Sequence, residues 1–205
     1  DELHAAVMAA EDAGTYVMVH VYVPEAIRRA IRAGVKSIEH GQLIDEPTMK
    51  LIAEKGVWLS MQPFIGEGNN HYTNPVQQAK HELVVQGTDR AYQLAKKYGV
   101  KLAWGTDLLF SPANARNQNL NIEKMTRWFS NFEILKMITH DNAELLALSG
   151  RRNPYPGKLG VIEEGALADL IVVDGNALED IKVLTDPGKN MLLIMKDGKI
   201  YKNDL

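Results

Sequence analysis

Four short apolar runs, separated by segments with helical periodicity, constrain the fold of this 205-residue chain more than any other feature. They lie at residues 16–20, 35–39, 57–62 and 101–105. The runs are apolar throughout instead of alternating with polar residues, which is typical of strands buried on both faces. The connections between them are too long for hairpins, so we expect parallel strands joined by right-handed crossovers. The sequence therefore predicts an α/β fold with four βα units.

The segments between these runs carry helix signals, and most of them end at a glycine. The opening segment has apolar residues at helical spacing and stops at Gly14. The same signals predict further helices at residues 25–33, 46–55, about 82–98 and 132–148. Between the third strand and the helix at 82–98 lies a long polar stretch, residues 66–80.

The end of the chain differs in composition from the rest. Residues 151–157 are rich in Arg, Pro and Gly and are interpreted as a linker. Beyond them, strands are predicted at residues 169–174, 191–195 and 200–201, with a tight turn over residues 196–199. An Asp-Gly pair between apolar runs is a strong hairpin signal. We therefore predict two domains, residues 1–150 and residues 151–205.

Composition and charge exclude several classes of protein. The chain has no cysteine, which excludes disulfides, thiolate nucleophiles and Cys-ligated zinc. Its 23 basic and 26 acidic residues give a formal net charge of −3, which provides no basis for electrostatic nucleic-acid binding. No apolar run approaches the roughly 20 residues that a membrane-spanning helix needs. We therefore expect a small-molecule substrate, with no nucleic-acid or membrane partner. The cytoplasm is the default compartment, and an upstream signal peptide is the open alternative.

Polar residues stand where the four predicted strands end, namely His20, His40, Gln62 and Asp107. Ligands bind at this edge of a parallel sheet, because variable loops and helix N-termini converge there. His20 and His40 are about one βα unit apart, so their strands would be neighbours at about 4.8 Å. Two neutral imidazoles at that separation suit Zn²⁺. For either histidine alone, a hydrogen-bonded structural role is the alternative.

Other residues have both a functional and a structural interpretation. Arg116 follows the last strand of the sheet, where a cation could meet a substrate carboxylate, but a solvated loop explains it equally well. Phe64 follows a strand end and could line a pocket. We expect His71 and His81 to be solvated loop residues, and His140 to have a structural role at a helix junction.

Several of these residues lie in motifs that resemble a known family. The motifs are His20-Val21-Tyr22, Pro24-Glu25-Ala26-Ile27, Ser37-Ile38-Glu39-His40-Gly41, Gly105-Thr106-Asp107 and the tail segment LGVIEEGALADL from Leu159 to Leu170. In this order they resemble the amidohydrolase superfamily, and within it the imidazolonepropionase-like and Xaa-Pro dipeptidase-like metallohydrolases. The resemblance runs from Asp1 to Leu205.

The resemblance implies a fold and a set of site residues. Family members are (β/α)8 TIM barrels with a metal centre at the carboxyl edge and a small composite β-sandwich domain. His20 would match the strand-5 metal ligand, His40 the strand-6 ligand, and Asp107 the catalytic, metal-binding aspartate of strand 8. Tyr22 matches a substrate-binding position. The implied cofactor is Zn²⁺ or another divalent metal, with one or two ions in the intact enzyme.

The same resemblance implies that the chain is the C-terminal half of such an enzyme. The strand-1 His-x-His pair and the strand-4 lysine or glutamate of the family have no counterpart in the sequence. We therefore expect strands 5 to 8 of the barrel plus a short β tail from the small domain. Four strands in an open sheet leave two unpaired edges, so we also expect a homo-oligomer or a requirement for the missing N-terminal half.

Two classes of function follow. The first is metal-dependent hydrolysis of amide or peptide C–N bonds in dipeptides or N-acyl amino acids, by a metal-activated water. In it, Asp107 transfers protons, and Tyr22, Gln62 and Arg116 bind substrate. The second is a catalytically incompetent truncated domain with a packing or self-association role only. In the first case we still expect little hydrolysis from this piece alone.

Overall fold

The computed structural model describes residues 1–66, 72–108 and 112–205. The chain forms two compact units. The first consists of Asp1–Gly105 with Leu148–Arg152, and the second of Thr106–Ala147 with Asn153–Leu205. The division into residues 1–150 and 151–205 stays a prediction. No helix in the described ranges is long and apolar enough to cross a membrane.

The first unit is a four-stranded parallel sheet with helices between its strands. Its elements are α1 (Glu2–Asp12), β1 (Met18–Val21), α2 (Pro24–Ala33), β2 (Ser37–His40), α3 (Glu46–Lys55), β3 (Trp58–Met61), α4 (Pro75–Tyr98) and β4 (Leu102–Trp104). The strands lie in the order β1-β2-β3-β4, and each neighbouring pair is parallel. The predicted parallel α/β sheet is confirmed. The sheet is not closed, so its assignment to half of an eight-stranded barrel stays a prediction.

Helices α2 and α3 end where the sequence predicts, because the next residue is a left-handed glycine. Gly34 has φ 97° and Gly56 has φ 63°, values that a residue with a Cβ adopts only at a cost. The apolar core of the parallel sheet continues from β2 to β3. Ile38 and Leu59 are partners in the β2–β3 register, and both are fully buried.

The N-terminus of α3 holds the loop that follows β2. Asp45 caps the helix, with its carboxylate accepting from the Thr48 backbone at 3.0 Å. Arg28 of α2 donates to the same carboxylate at 3.3 Å and to the Thr48 hydroxyl at 2.5 Å. Burial opposes ionisation of Asp45, but these hydrogen bonds outweigh it and hold the pKa of the carboxyl below its usual value. These contacts join α2 to the N-terminus of α3, at the end of the loop that follows His40.

Helix α4 begins at Pro75, well before the predicted start near residue 82, so part of the polar stretch is helical. Asn74 caps it, with its side-chain oxygen accepting from the Val76 backbone at 2.9 Å, and Pro75 occupies the first turn. The first turns are exposed and polar, so they lack the apolar face by which a helix is recognised in a sequence.

Gly87, in the middle of α4, lies where a side chain has no room. A Cβ built on it would be 2.3 Å from the carbonyl oxygen of Gln42, in the loop after β2. Helix propensity alone would make Gly87→Ala stabilising by about 1 kcal/mol. We expect the opposite sign, a loss of about 1–3 kcal/mol in the free energy of unfolding, because the overlap is with a backbone atom.

Urea unfolding followed by circular dichroism measures this change for Gly87→Ala. The control is Gln86→Ala, an exposed neighbour in the same helix, which should stay within about 0.5 kcal/mol of the original protein. A Gly87→Ala variant as stable as the original protein or more stable would contradict the close packing of α4 on this loop.

The second unit consists of short helices and a three-stranded antiparallel sheet. Its elements are α5 (Pro112–Ala115), α6 (Leu120–Lys124), α7 (Asn131–Lys136), α8 (Asn142–Ala147), β5 (Leu170–Val173), α9 (Pro187–Asn190), β6 (Met191–Lys196) and β7 (Lys199–Asn203). The sheet order is β5-β6-β7. The hairpin predicted between β6 and β7 is present, with Asp197 at φ 50° and Gly198 at φ 72°.

The helical region predicted at residues 132–148 is present but interrupted. A π-helical turn, Met137–Asp141, separates α7 from α8. Gly160 packs against this turn, and a Cβ on it would be 2.6 Å from the carbonyl oxygen of Thr139. At the start of α7, Ser130 and Glu133 form a reciprocal capping box.

Candidate active site

His20 and His40 lie side by side at the carboxyl ends of β1 and β2. The strand register pairs Val21 with His40, and the two imidazole rings have centroids 4.4 Å apart at an interplanar angle of 77°. His20 is exposed, whereas His40 is only 4% exposed. The spacing of one βα unit thus places two imidazoles next to each other, as the sequence predicts.

The backbone at His40 adopts an uncommon conformation. Its φ is 81°, and among the described residues the other non-glycine residues with positive φ are Asp107 and Asp197. Such a conformation costs about 1–3 kcal/mol and persists only where the surroundings enforce it. Here Gly41 donates its N–H to the Val21 carbonyl at 2.9 Å, which ties the end of β2 to β1. Two of the three positions are predicted site residues, and the third is in the β6–β7 turn.

Gln62, one residue beyond β3, contacts His40 directly. Its side-chain oxygen lies 2.7 Å from His40 Nδ1, and Gln62 is only 5% exposed. An amide oxygen can only accept a hydrogen bond, so in this contact Nδ1 carries the proton. The prediction that Gln62 binds substrate stays a prediction.

Tyr22 packs on both histidines. Its ring is stacked on His40 with centroids 4.7 Å apart and an interplanar angle of 9°. It meets His20 edge-on, at 5.1 Å and 81°. Tyr22 therefore restricts the plane of the His40 ring, and the substrate-binding role that the family resemblance implies for it stays a prediction.

Glu39 is a polar neighbour of this group that the sequence analysis did not single out as a site residue. It is the register partner of His20 on the adjacent strand, and the Ser37 hydroxyl donates to its carboxylate at 2.6 Å. Burial, and secondly the charge of Glu39, raise the pKa of Tyr16. The signal was present in the sequence, since Ser37 and Glu39 are polar residues two apart, so their side chains share one face of the strand.

The remaining candidates lie elsewhere in the chain. Asp107 and Arg116 belong to the second unit, where both are exposed, and their membership of the site stays a prediction.

The other histidines come from other segments of the sequence. His81 lies in α4, where its ring is 5.4 Å from that of Tyr72, so the expectation of a loop residue is wrong. His140 pairs with Asp141 at 2.9 Å in the π-helical turn. His71 lies outside the described residues.

The donor set fits two ligands of a metal site. His20 and His40 supply imidazole nitrogens, the ligand type preferred by zinc in combination with carboxylates. Within residues 1–66, 72–108 and 112–205, no three or more His, Cys, Asp or Glu side chains form a group that could hold a metal ion. The paired histidines therefore account for only part of a coordination shell.

Comparisons with known proteins identify the family of this chain. A model of the amidohydrolase family matches residues 1–201. Ochratoxinase from Aspergillus niger is 32% identical over 206 residues, covering 98% of this chain and 41% of that protein. The structure of a prolidase complexed with N-methylphosphonate-L-proline is 35% identical, with a TM-score of 0.85 over 98% of this chain and 48% of that one. A Xaa-Pro dipeptidase with methionine bound in its active site is 32% identical, with a TM-score of 0.81 and the same two coverages.

The chain spans about half of the length of these relatives, or somewhat less. Each match nevertheless extends over nearly all of the present sequence, including the strands that carry His20 and His40. The family resemblance of the motifs is thereby confirmed, and the chain belongs to the amidohydrolase family.

Proposed function

We propose that this chain contributes the active-site residues of a metal-dependent hydrolase that cleaves amide or peptide C–N bonds. The observation that carries the proposal is the pair formed by His20 and His40 at the carboxyl edge of a parallel sheet. Family membership supports it, because amidohydrolases generally depend on a metal. Zn²⁺ suits two neutral imidazoles, and the intact protein would hold one or two ions.

In this proposal the residues of the chain have distinct roles. His20 and His40 would hold the ion through ring nitrogens. A bound divalent metal would supply Lewis-acid chemistry, namely activation of a water molecule near neutral pH and polarisation of the scissile carbonyl. Asp107 accepts a proton from the attacking water through its carboxylate and delivers it to the leaving nitrogen. Tyr22 offers its hydroxyl to a substrate carboxylate or to the developing oxyanion.

Dipeptides and N-acyl amino acids are the substrate classes that we propose. The relatives support this choice, since two of the similar structures are described as a prolidase and a Xaa-Pro dipeptidase. Both classes carry a free carboxylate next to the scissile bond. Arg116 and Tyr22 are the groups of this chain that would bind such a carboxylate, with Gln62 as a further candidate.

We also propose that the four strands are strands 5 to 8 of a (β/α)8 barrel, with β5 to β7 as part of the small β-domain. In the described sheet, β1 and β4 each pair with a single neighbour, and their outer backbone groups would pair in a barrel. The partner that completes the barrel is either a second copy of this chain or an N-terminal half of the kind that the longer relatives contain.

The experiment that tests the function measures zinc content and hydrolysis together. We expect the complete assembly, identified by sedimentation, to retain zinc after dialysis and to cleave Xaa-Pro dipeptides or N-acyl amino acids. Treatment with a chelator should abolish the cleavage, and added zinc should restore it. A well-folded protein that binds no zinc in any assembly state would contradict the proposal.

That outcome would favour the second candidate, a domain with a packing or self-association role only. One observation speaks for this candidate, namely that the described residues bring together two histidine ligands but no larger metal-binding group.

A further inference from the structure

We propose that Gln62 is a positioning residue that selects the tautomer of His40. Its amide oxygen holds the proton on Nδ1, so that Nε2 carries the lone pair required of a ligand. This inference rests on the proposed function only where it takes Nε2 as the atom that binds the metal. The selection of the tautomer itself is a property of the chain without metal.

The first step of the argument is the geometry of the contact. Gln62 Oε1 and His40 Nδ1 are 2.7 Å apart, within the normal range of a hydrogen bond. The carbonyl oxygen of an amide has no proton to give, so the imidazole is the donor. In a neutral imidazole one nitrogen donates and the other accepts, which assigns the lone pair to Nε2.

The second step is the shielding of this hydrogen bond from water. His40 is 4% exposed and Gln62 is 5% exposed. Water therefore competes poorly for Nδ1 or for the amide oxygen, and a buried polar group that loses its partner is costly. Neutral histidine in water favours the opposite tautomer, with the proton on Nε2. The protein environment must therefore supply the preference, and Gln62 provides an acceptor in direct contact with Nδ1.

The third step separates the role of Gln62 from that of Tyr22. The Tyr22 ring is nearly parallel to the His40 ring, at 9°, and so restricts the plane of the imidazole. A stacking contact is retained when the imidazole turns by 180° about its Cβ–Cγ bond, which leaves the ring in the same plane but exchanges Nδ1 for a carbon. The hydrogen bond to Gln62 is lost in that rotation. Tyr22 thus fixes the plane, and Gln62 fixes which edge faces β3.

The position of Gln62 explains why it can have this role. In the β2–β3 register Glu39 pairs with Ser60, so His40 and Met61 come next at the same edge of the sheet, and Gln62 directly follows Met61. Partners that fix the tautomer of a metal-binding histidine typically change metal affinity by 10- to 100-fold when they are removed. We expect an effect of this size at Gln62.

The test is ¹⁵N NMR of the metal-free protein with labelled histidine, at a pH where the rings are neutral. The chemical shifts of the two ring nitrogens differ strongly between the tautomers, and the His40 signals are assigned by their loss in His40→Gln. In the original protein we expect the proton on Nδ1. A His40 signal with the proton on Nε2 would overturn the proposal, whatever the zinc affinity of the protein.

Variants extend the test to zinc affinity. Gln62→Leu should move the His40 proton towards Nε2 and weaken zinc binding by about 10- to 100-fold, whereas Gln62→Glu should retain the Nδ1 proton. The matched control is Gln42→Leu. Gln42 is 1% exposed and two residues from His40, and its amide has no hydrogen-bond partner in the described part of the chain. It should leave the tautomer unchanged.

The two proposals fail in different ways. If the proton is on Nδ1 but no assembly of the protein binds zinc, the tautomer selection stands and the proposed function fails. If zinc binds through both histidines while Gln62→Leu changes neither the tautomer nor the affinity, the function stands and the role of Gln62 is disproved.

Discussion

Replacement of His40 by alanine is expected to weaken zinc binding by more than about 100-fold, beyond the range caused by loss of an outer partner. Hydrolysis by the complete assembly should fall to background. The reason is that His40 supplies one of two neighbouring imidazoles, whose ring centroids are 4.4 Å apart, and the other ligand alone would hold a divalent ion weakly. His20→Ala should have the same effect, and the double variant should bind zinc hardly less than either single variant, since both residues act on one ion.

Competition with a chromophoric chelator measures the zinc affinity. A second replacement of His40 shows whether a loss of affinity comes from the missing imidazole or from misfolding. His40 has positive φ, a conformation that asparagine tolerates better than alanine, so His40→Asn serves as a second replacement. His81→Ala is the control, because His81 lies in α4 next to Tyr72 and has no role in the proposed site. Equal zinc affinity in the His40 and His81 variants would contradict the metal site.

Replacement of Asp107 by asparagine is expected to lower kcat by roughly 10²- to 10⁴-fold in the assembly that hydrolyses substrate. Asparagine has nearly the same shape and tolerates the φ of 53° at this position, but it cannot accept a proton from the attacking water. KM should change much less than kcat, since the proton transfer belongs to the transition state.

A matched control for Asp107→Asn is available in the same unit. Asp197 also has positive φ, 50°, and stands before Gly198 in the β6–β7 turn, where an Asn-Gly pair is favourable. Asp197→Asn should therefore leave kcat unchanged. If Asp107→Asn retained most of its kcat while folding normally, Asp107 would not be the residue that moves the proton.

The sequence predicts the α/β architecture because that architecture depends on local patterns. Helix α3 has the bounds predicted for it, Glu46–Lys55, since an N-cap aspartate and a left-handed glycine mark its two ends. The four strands of the parallel sheet are found within two residues of their predicted positions, because short, largely apolar runs between helical segments are typical of such strands. The β6–β7 hairpin follows from its Asp-Gly pair.

Features that depend on contacts between distant segments could not be predicted in this way. The sequence places His20 and His40 on neighbouring strands, but the contact between Gln62 and His40 joins residues that are 22 positions apart and depends on the side-chain rotamers. The π-helical turn before α8 involves packing against Gly160, which lies beyond the linker. The first turns of α4 are a local exception, because they lack an apolar face and begin at the Asn74 cap within a polar stretch.

The central claim is that His20 and His40 bind one metal ion, and X-ray absorption spectroscopy of the zinc-loaded protein tests it most directly. Multiple scattering from imidazole rings gives the number of histidines bound to zinc. The account predicts two imidazoles per zinc in the original protein and one in either the His20→Ala or the His40→Asn variant. A zinc environment without imidazole, or one that neither substitution changes, would contradict it.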